Sequence, residues 1–119
     1  VTAGGPDRGD LYLADPGPTV GHEQRGRRPF LVISVNQMNR TRTRLTIALP
    51  LTTTEWPDPL HIRIEPAQSG LRRVSYAMPE MARSLSTLRF KRRLGRVPVE
   101  IVDSAARNTG LLIGLGRSR

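Results

Sequence analysis

The apolar run Phe30-Leu31-Val32-Ile33, entered through Arg27-Arg28-Pro29, constrains the fold more than any other stretch of these 119 residues. Consecutive apolar residues without alternation read as a strand buried on both faces. Pro29 has no amide donor, fixes φ and biases Arg28 away from helix, so the strand starts from a stiff mouth. Just before it, residues 21–28 read GHEQRGRR. Gly21 and Gly26 permit positive φ there, and Arg25, Arg27 and Arg28 crowd three cations into four positions. Polar side chains displayed on a loop at the end of a scaffold strand are where function often sits. A solvated charge run ahead of a core strand is the plain alternative.

The other apolar runs are short and separated by turn residues. Residues 8–14, RGDLYLA, alternate as a first strand, with Leu11 and Leu13 on one face and Tyr12 and Ala14 on the other. Asp15-Pro16-Gly17-Pro18 ends it. Residues 36–44 are a polar connection, and residues 45–51, LTIALPL, are a third strand. Pro50 cannot donate to a ladder, which places it at an edge or strand end. If the second and third strands form an antiparallel hairpin, paired positions sum to about 80 and Arg28 faces Thr52, within a residue or two of register. The arginines then share one end of the sheet with Leu51-Thr52-Thr53-Thr54, an arrangement suited to phosphate. A β-prone strand end running into a loop is the other reading of the threonines.

Residues 55–58 form a loop tip whose Trp56 either stacks on a base or folds back over the core. In residues 60–64, LHIRI, alternation turns Leu60, Ile62 and Ile64 inward and His61 and Arg63 outward, as surface residues. A fifth strand spans 74–78, and Pro79 interrupts it. Residues 81–86 read as irregular, with Leu85 and Leu88 packed inward. Residues 89–96, RFKRRLGR, are a second basic cluster around a short strand, read most simply as a solvated edge. Val97-Pro98-Val99-Glu100 opens a helix, since proline and an acidic residue suit a first turn. Val102, Ala105, Thr109 and Leu112 set its inward face, widened by Ile101 and Leu115; Gly110 weakens its middle. Five or six short strands and one C-terminal helix predict a small barrel or strongly curved sheet. The expected organisation is a leader at 1–7, one domain over 8–116 and a basic tail at 117–119.

Composition narrows the function classes. There are no cysteines, which excludes disulfides, zinc–thiolate sites and a cysteine nucleophile. His22 and His61 are too few for a His-based metal site, and no cofactor is expected. No apolar run reaches the roughly 18 residues of a membrane span, and the first residues lack a signal peptide's apolar region. A soluble cytoplasmic protein is expected. The net charge of +9 suggests a polyanionic partner. Lys91 is the only lysine, and arginine's planar fork suits bidentate phosphate contacts.

The order of motifs resembles the MazF/PemK (Kid-like) toxin family of bacterial type II toxin–antitoxin systems. RGDLYLADPGPTVGHEQRGRRP, a strand ending near Asn36, Asn39-Arg40, PLTTT, residues 84–95 with Arg-Leu-Gly, and the amphipathic helix carry the likeness. The resemblance implies a mainly β fold, a small SH3-like, CcdB/PemK-type barrel with a C-terminal helix, usually a homodimer. It implies a metal-independent endoribonuclease that cuts single-stranded RNA at short motifs and stops translation. It implies a cognate antitoxin as partner, an acidic and partly disordered segment able to occupy the same arginines. The family's key arginine before proline maps to Arg28, and its threonine after Pro-Leu maps to Thr52. The GHEQ motif maps to His22, Glu23 and Gln24, at the mouth of the site. One region departs: where many members carry Asp-Gln, this chain has Met78-Pro79-Glu80-Met81, with Arg83 matching a common arginine.

The chemistry expected is attack of the RNA 2′-hydroxyl on the adjacent phosphate, leaving a 2′,3′-cyclic phosphate and a 5′-hydroxyl. Arg28 stabilises the developing charge and Thr52 donates to a phosphoryl oxygen. His22 or Glu23 accepts the proton. Gln24, Arg25, Arg27, Thr53, Trp56, Glu80 and Arg83 are the candidate RNA contacts. Two rivals share the fold: a non-catalytic nucleic-acid-binding barrel and a CcdB-like gyrase poison. The His22/Glu23, Arg28 and Thr52 grouping exceeds what phosphate binding needs, and a protein target does not call for so basic a mouth. A degenerate toxin is a third possibility, raised by Glu80-Met81.

Overall fold

The run that begins at Pro29 does form a strand at the centre of the molecule. The computed structural model describes residues 5–18, 21 and 26–116. Within them lie strands β1 (Asp10–Ala14), β2 (Arg28–Val32), β3 (Leu45–Thr52), β4 (Ile62–Ile64), β5 (Ser75–Ala77), β6 (Arg83–Ser86) and β7 (Phe90–Arg96). Helices α1 (Asn36–Asn39), α2 (Pro66–Ser69) and α3 (Val99–Leu112) complete the set. Every strand pair is antiparallel, in the order β4-β5-β3-β2-β1-β7, with β6 also on β3. The result is a curled sheet, a half-barrel, with α3 as its one long helix.

Alternation along the strands gives the sheet two buried faces. Leu11, Leu31, Leu49, Leu51 and Ile64 pack with Val102 and Ala105 of α3. Tyr12, Ala14, Phe30, Val32, Ala48, Leu85 and Phe90 form a second core on the opposite face. There the Tyr12 and Phe90 rings stack, 4.7 Å between centroids and 18° from parallel.

The β2–β3 hairpin has the register expected from its length: Phe30 pairs with Pro50, Leu31 with Leu49 and Val32 with Ala48. Its connection is more ordered than a polar loop. Asn39 of α1 is buried, donates to the Ser34 carbonyl at 3.0 Å and accepts from the Ser34 hydroxyl. Ser34 Oγ in turn accepts from the Ile47 amide at 2.9 Å, which pins the two strands together. Arg40 pairs with Asp7, and Pro6 beside it is buried.

Several sequence expectations need correction. Pro50 lies inside β3, not at its end. β3 pairs with β6 through Ala48 and with β5 from Leu51, so Pro50 sits where the partner changes. Its carbonyl accepts the Met78 amide at 3.1 Å. A residue's N–H and C=O share one edge of a strand, so the missing donor faces the gap between β6 and β5. Residues 83–86 form a regular strand, legible only through the single apolar Leu85 between serines. Leu88 is 73% exposed on the 3-10 turn Thr87–Arg89. Leu112 and Leu115 are also exposed, because the apolar stripe runs past the part of α3 that the core covers. β4 starts at Ile62, so His61 precedes it. No helix among the described residues is long and apolar enough to cross a membrane.

Candidate functional site

Even-numbered residues of β2 and β3 face the second core, and the register carries that face outward past it. Phe30 opposite Pro50 is a pair without mutual hydrogen bonds, since the Pro50 carbonyl turns toward Met78. The same antiparallel register, carried two residues further, brings Arg28 toward the Thr52 end of β3, where its Nη1 reaches the Leu51 carbonyl. Thr52 pairs in turn with Tyr76 of β5, and Tyr76 with Arg63 of β4. A transverse row of hydroxyl, phenol and cation therefore crosses β3, β5 and β4, and Arg28 reaches toward it from β2. Arg63 Nη1 donates to the Tyr76 hydroxyl at 3.2 Å, and its Nε contacts Glu65.

Arg28 is half-buried and directed: Nη1 donates to the Leu51 carbonyl at 3.1 Å. Burial pushes its pKa down from the ordinary arginine value; guanidinium remains the charged form at neutral pH. Thr52 Oγ1 accepts the Thr54 amide at 3.1 Å, which leaves its own O–H free to donate outward. The sequence supplies both positions through strand period alone.

One register level inward, on the same face, opens a cleft of about 170 Å³. Pro16, Phe30 and Pro50 are its buried floor, and Glu80, Met81, Ala82 and Arg83 its rim. The 3-10 turn Pro79–Met81 carries Glu80. The His61 ring, only 4% exposed, holds Glu80 from behind with Nε2 at 2.7 Å from Oε2. Asp58 Oδ2 lies 3.5 Å from the same nitrogen. This overturns the expectation of a surface histidine: two carboxylates close over its ring, a pairing that alternation in LHIRI cannot reveal. Arg63, Tyr76 and His61 are residues of this region that sequence patterning did not assign to the site.

The expected site residues thus divide by place. Arg28 reaches the Leu51 carbonyl, next to Thr52. Glu80 and Arg83 line the adjoining cleft. Arg27, Thr53 and Trp56 are exposed around it, Trp56 by 54%. His22, Glu23, Gln24 and Arg25 lie outside the described residues; Gly21 and Gly26, on either side of them, have the expected positive φ of 61° and 71°.

A family model for the PemK-like, MazF-like toxin of type II toxin–antitoxin systems matches residues 7–112. The chain belongs to this toxin family. Its relatives include the endoribonuclease EndoA of Bacillus subtilis, 33% identical over 97 residues, covering 81% of this chain and 84% of EndoA. The crystal structure of MazF from Deinococcus radiodurans superposes with a TM-score of 0.81 at 32% identity, covering 93% of this chain and 98% of that one. A mycobacterial endoribonuclease in complex with its cognate antitoxin superposes with a TM-score of 0.77 at 26% identity, covering 94% and 98%. The half-barrel with its C-terminal helix is the MazF fold. As a MazF-like toxin, the chain combines the family's architecture with its own Met78-Pro79-Glu80-Met81 segment beside the cleft.

Proposed function

We propose that this chain is the toxin of a type II toxin–antitoxin pair, an endoribonuclease that cuts single-stranded RNA at short motifs and so arrests translation. The approach of Arg28 to the Leu51 carbonyl, next to Thr52, supports this reading, because it brings a directed cation beside a hydroxyl able to donate. The RNA 2′-oxygen attacks the neighbouring phosphorus, the P–O5′ bond breaks, and the products carry a 2′,3′-cyclic phosphate and a 5′-hydroxyl. Arg28 stabilises the charge that builds on the phosphoryl oxygens, and Thr52 donates to one of them. His22 or Glu23 takes the 2′-hydroxyl proton, and the 5′-oxygen leaves protonated. Arg25, Arg27, Arg63 and Arg83 hold flanking phosphates, and the exposed Trp56 offers a ring face to a base. Gln24 and Thr53 are further polar contacts at the mouth.

The chain works in the cytoplasm, where translation occurs, as a homodimer. An acidic antitoxin silences it by covering the arginine face, as the antitoxin complex formed by the mycobacterial relative suggests. The test is incubation with a mixed pool of RNA oligonucleotides in excess EDTA, with fragment ends mapped. Discrete cuts bearing 5′-hydroxyls are expected. Arg28→Ala is expected to lose about 10²-fold or more in rate with an unchanged circular dichroism spectrum, and Thr52→Val about tenfold. Binding without cutting by the unaltered chain points instead to a non-catalytic RNA-binding module.

A further inference from the structure

Glu80 stands where the departure from the family pattern meets the cleft, and its surroundings fix it unusually well for an exposed acid. Pro79 is fully buried and Met81 donates its amide back to the Met78 carbonyl at 3.0 Å, so the backbone under Glu80 is a closed turn. α3 packs against that turn, and Asn108 of the same helix donates to the Leu60 carbonyl at 3.0 Å, next to His61. Asp58 Oδ1 accepts the Leu60 amide at 2.9 Å. The chain leading into His61 is therefore anchored through both backbone groups of Leu60, and the His61 ring presents Nε2 to the Glu80 carboxylate.

Asp58, His61 and Glu80 bring three metal-ligating atoms within 4.8 Å of one another. Coordination through Nε2 would move the ring proton to Nδ1, and a ligating histidine normally donates that proton to a partner. His61 Nδ1 is buried with no hydrogen-bond partner among the described residues. The ring is thus suited to carry its proton on Nε2 and donate it to Glu80, and the trio is a clamp for a carboxylate rather than a cation site.

We propose that the cleft seats one base of the bound RNA and that Glu80, oriented by His61, selects a base bearing an exocyclic amino group and rejects uracil. A carboxylate only accepts hydrogen bonds. Cytosine, adenine and guanine each offer it an N–H₂, the pairing by which glutamate reads the cytosine amine. Uracil offers one N–H between two carbonyl oxygens, which the carboxylate repels. His61 uses one lone pair of Oε2, leaving Oε1 for the base. The volume, about 170 Å³, is below the roughly 300–1,000 Å³ of a drug-sized site, and it suits a single planar base over Phe30 and Pro50. Two residues of strand rise, about 7 Å, separate this level from Arg28 and Thr52, within reach of a base from its own phosphate. The inference rests on the RNA-cutting reading above.

Its test uses the full chain and Glu80→Gln in two arms. In the first, cleavage of a randomised RNA pool is sequenced. The unaltered chain is expected to show one motif position depleted of uracil, and Glu80→Gln, whose amide can donate to a carbonyl, to admit uracil there by roughly tenfold or more. In the second, binding to uncuttable 2′-fluoro oligo(C) and oligo(U) is measured by fluorescence anisotropy. Oligo(C) is expected to bind roughly tenfold tighter, with the preference lost in Glu80→Gln. Cutting with an identical motif in both proteins overturns the assignment of Glu80 and leaves the nuclease reading standing. No cutting, with the cytosine preference intact in the unaltered chain only, overturns the nuclease reading and upholds Glu80. Neither cutting nor preference overturns both.

Discussion

Tyr12 shows how a single side chain links both faces of this problem, since it closes the second core under the row that carries Arg28. Its ring is buried against Phe90, and its phenol pKa is raised above the ordinary value of about 10, first by burial and then by the charge of Asp10. A phenol held protonated in the fold stabilises it fully below that ordinary value, and the contribution is lost as pH rises through the higher folded pKa. Urea denaturation between about pH 9 and 11 should show stability falling with pH, and Tyr12→Phe should flatten that fall. Residues of this kind were readable one by one: alternation put Tyr12 and Ala14 on one face, and connection length set the register of Phe30 against Pro50. His61 was not readable, because its burial depends on Glu80, nineteen positions away across a turn, and local period carries no information about such a partner.

Among elements, the backbone of β7 runs directly against the end of α2. A Cβ built on Gly95 would lie 1.9 Å from the Ser69 carbonyl oxygen, so only glycine fits while the two backbones touch. Gly95→Ala should force β7 and α2 apart and destabilise the fold by about 1–3 kcal/mol, read as a lower urea midpoint with an unchanged slope. A slope change would mean that the native state itself had loosened. The glycine of the Arg-Leu-Gly segment is thus a packing residue. Elements with several apolar residues in period, β1 to β3 and α3, were legible from sequence. β6 was not: three of its four residues are polar, and its place is set by pairing with β3, a tertiary effect that overrides weak local preference.

At the scale of the whole molecule the dominant quantity is charge. With a net charge of +9 and Arg28 and Arg63 on one face, binding to single-stranded RNA should weaken steeply with salt, log K falling by about 0.7 per phosphate neutralised for each unit of log salt. Arg63→Ala should lower that slope by about 0.7 across all sequences, without altering which bases are preferred. An unchanged slope would take Arg63 off the path of the strand. Composition points to a polyanionic partner in kind, but a count of arginines cannot say which share a face. That information entered only with the ladder order, which lines up Thr52, Tyr76 and Arg63 across β3, β5 and β4.

The break in β3 at Pro50 has a consequence for the history of such a chain. With the amide missing, Pro50 is tied to the connection at residues 78–82 through its carbonyl alone, which accepts the Met78 backbone amide. Side-chain substitutions at residues 80–82 leave that backbone bond and the β2–β3 register in place. On the reading proposed above, a lineage can change the words its toxin recognises and keep the blade untouched.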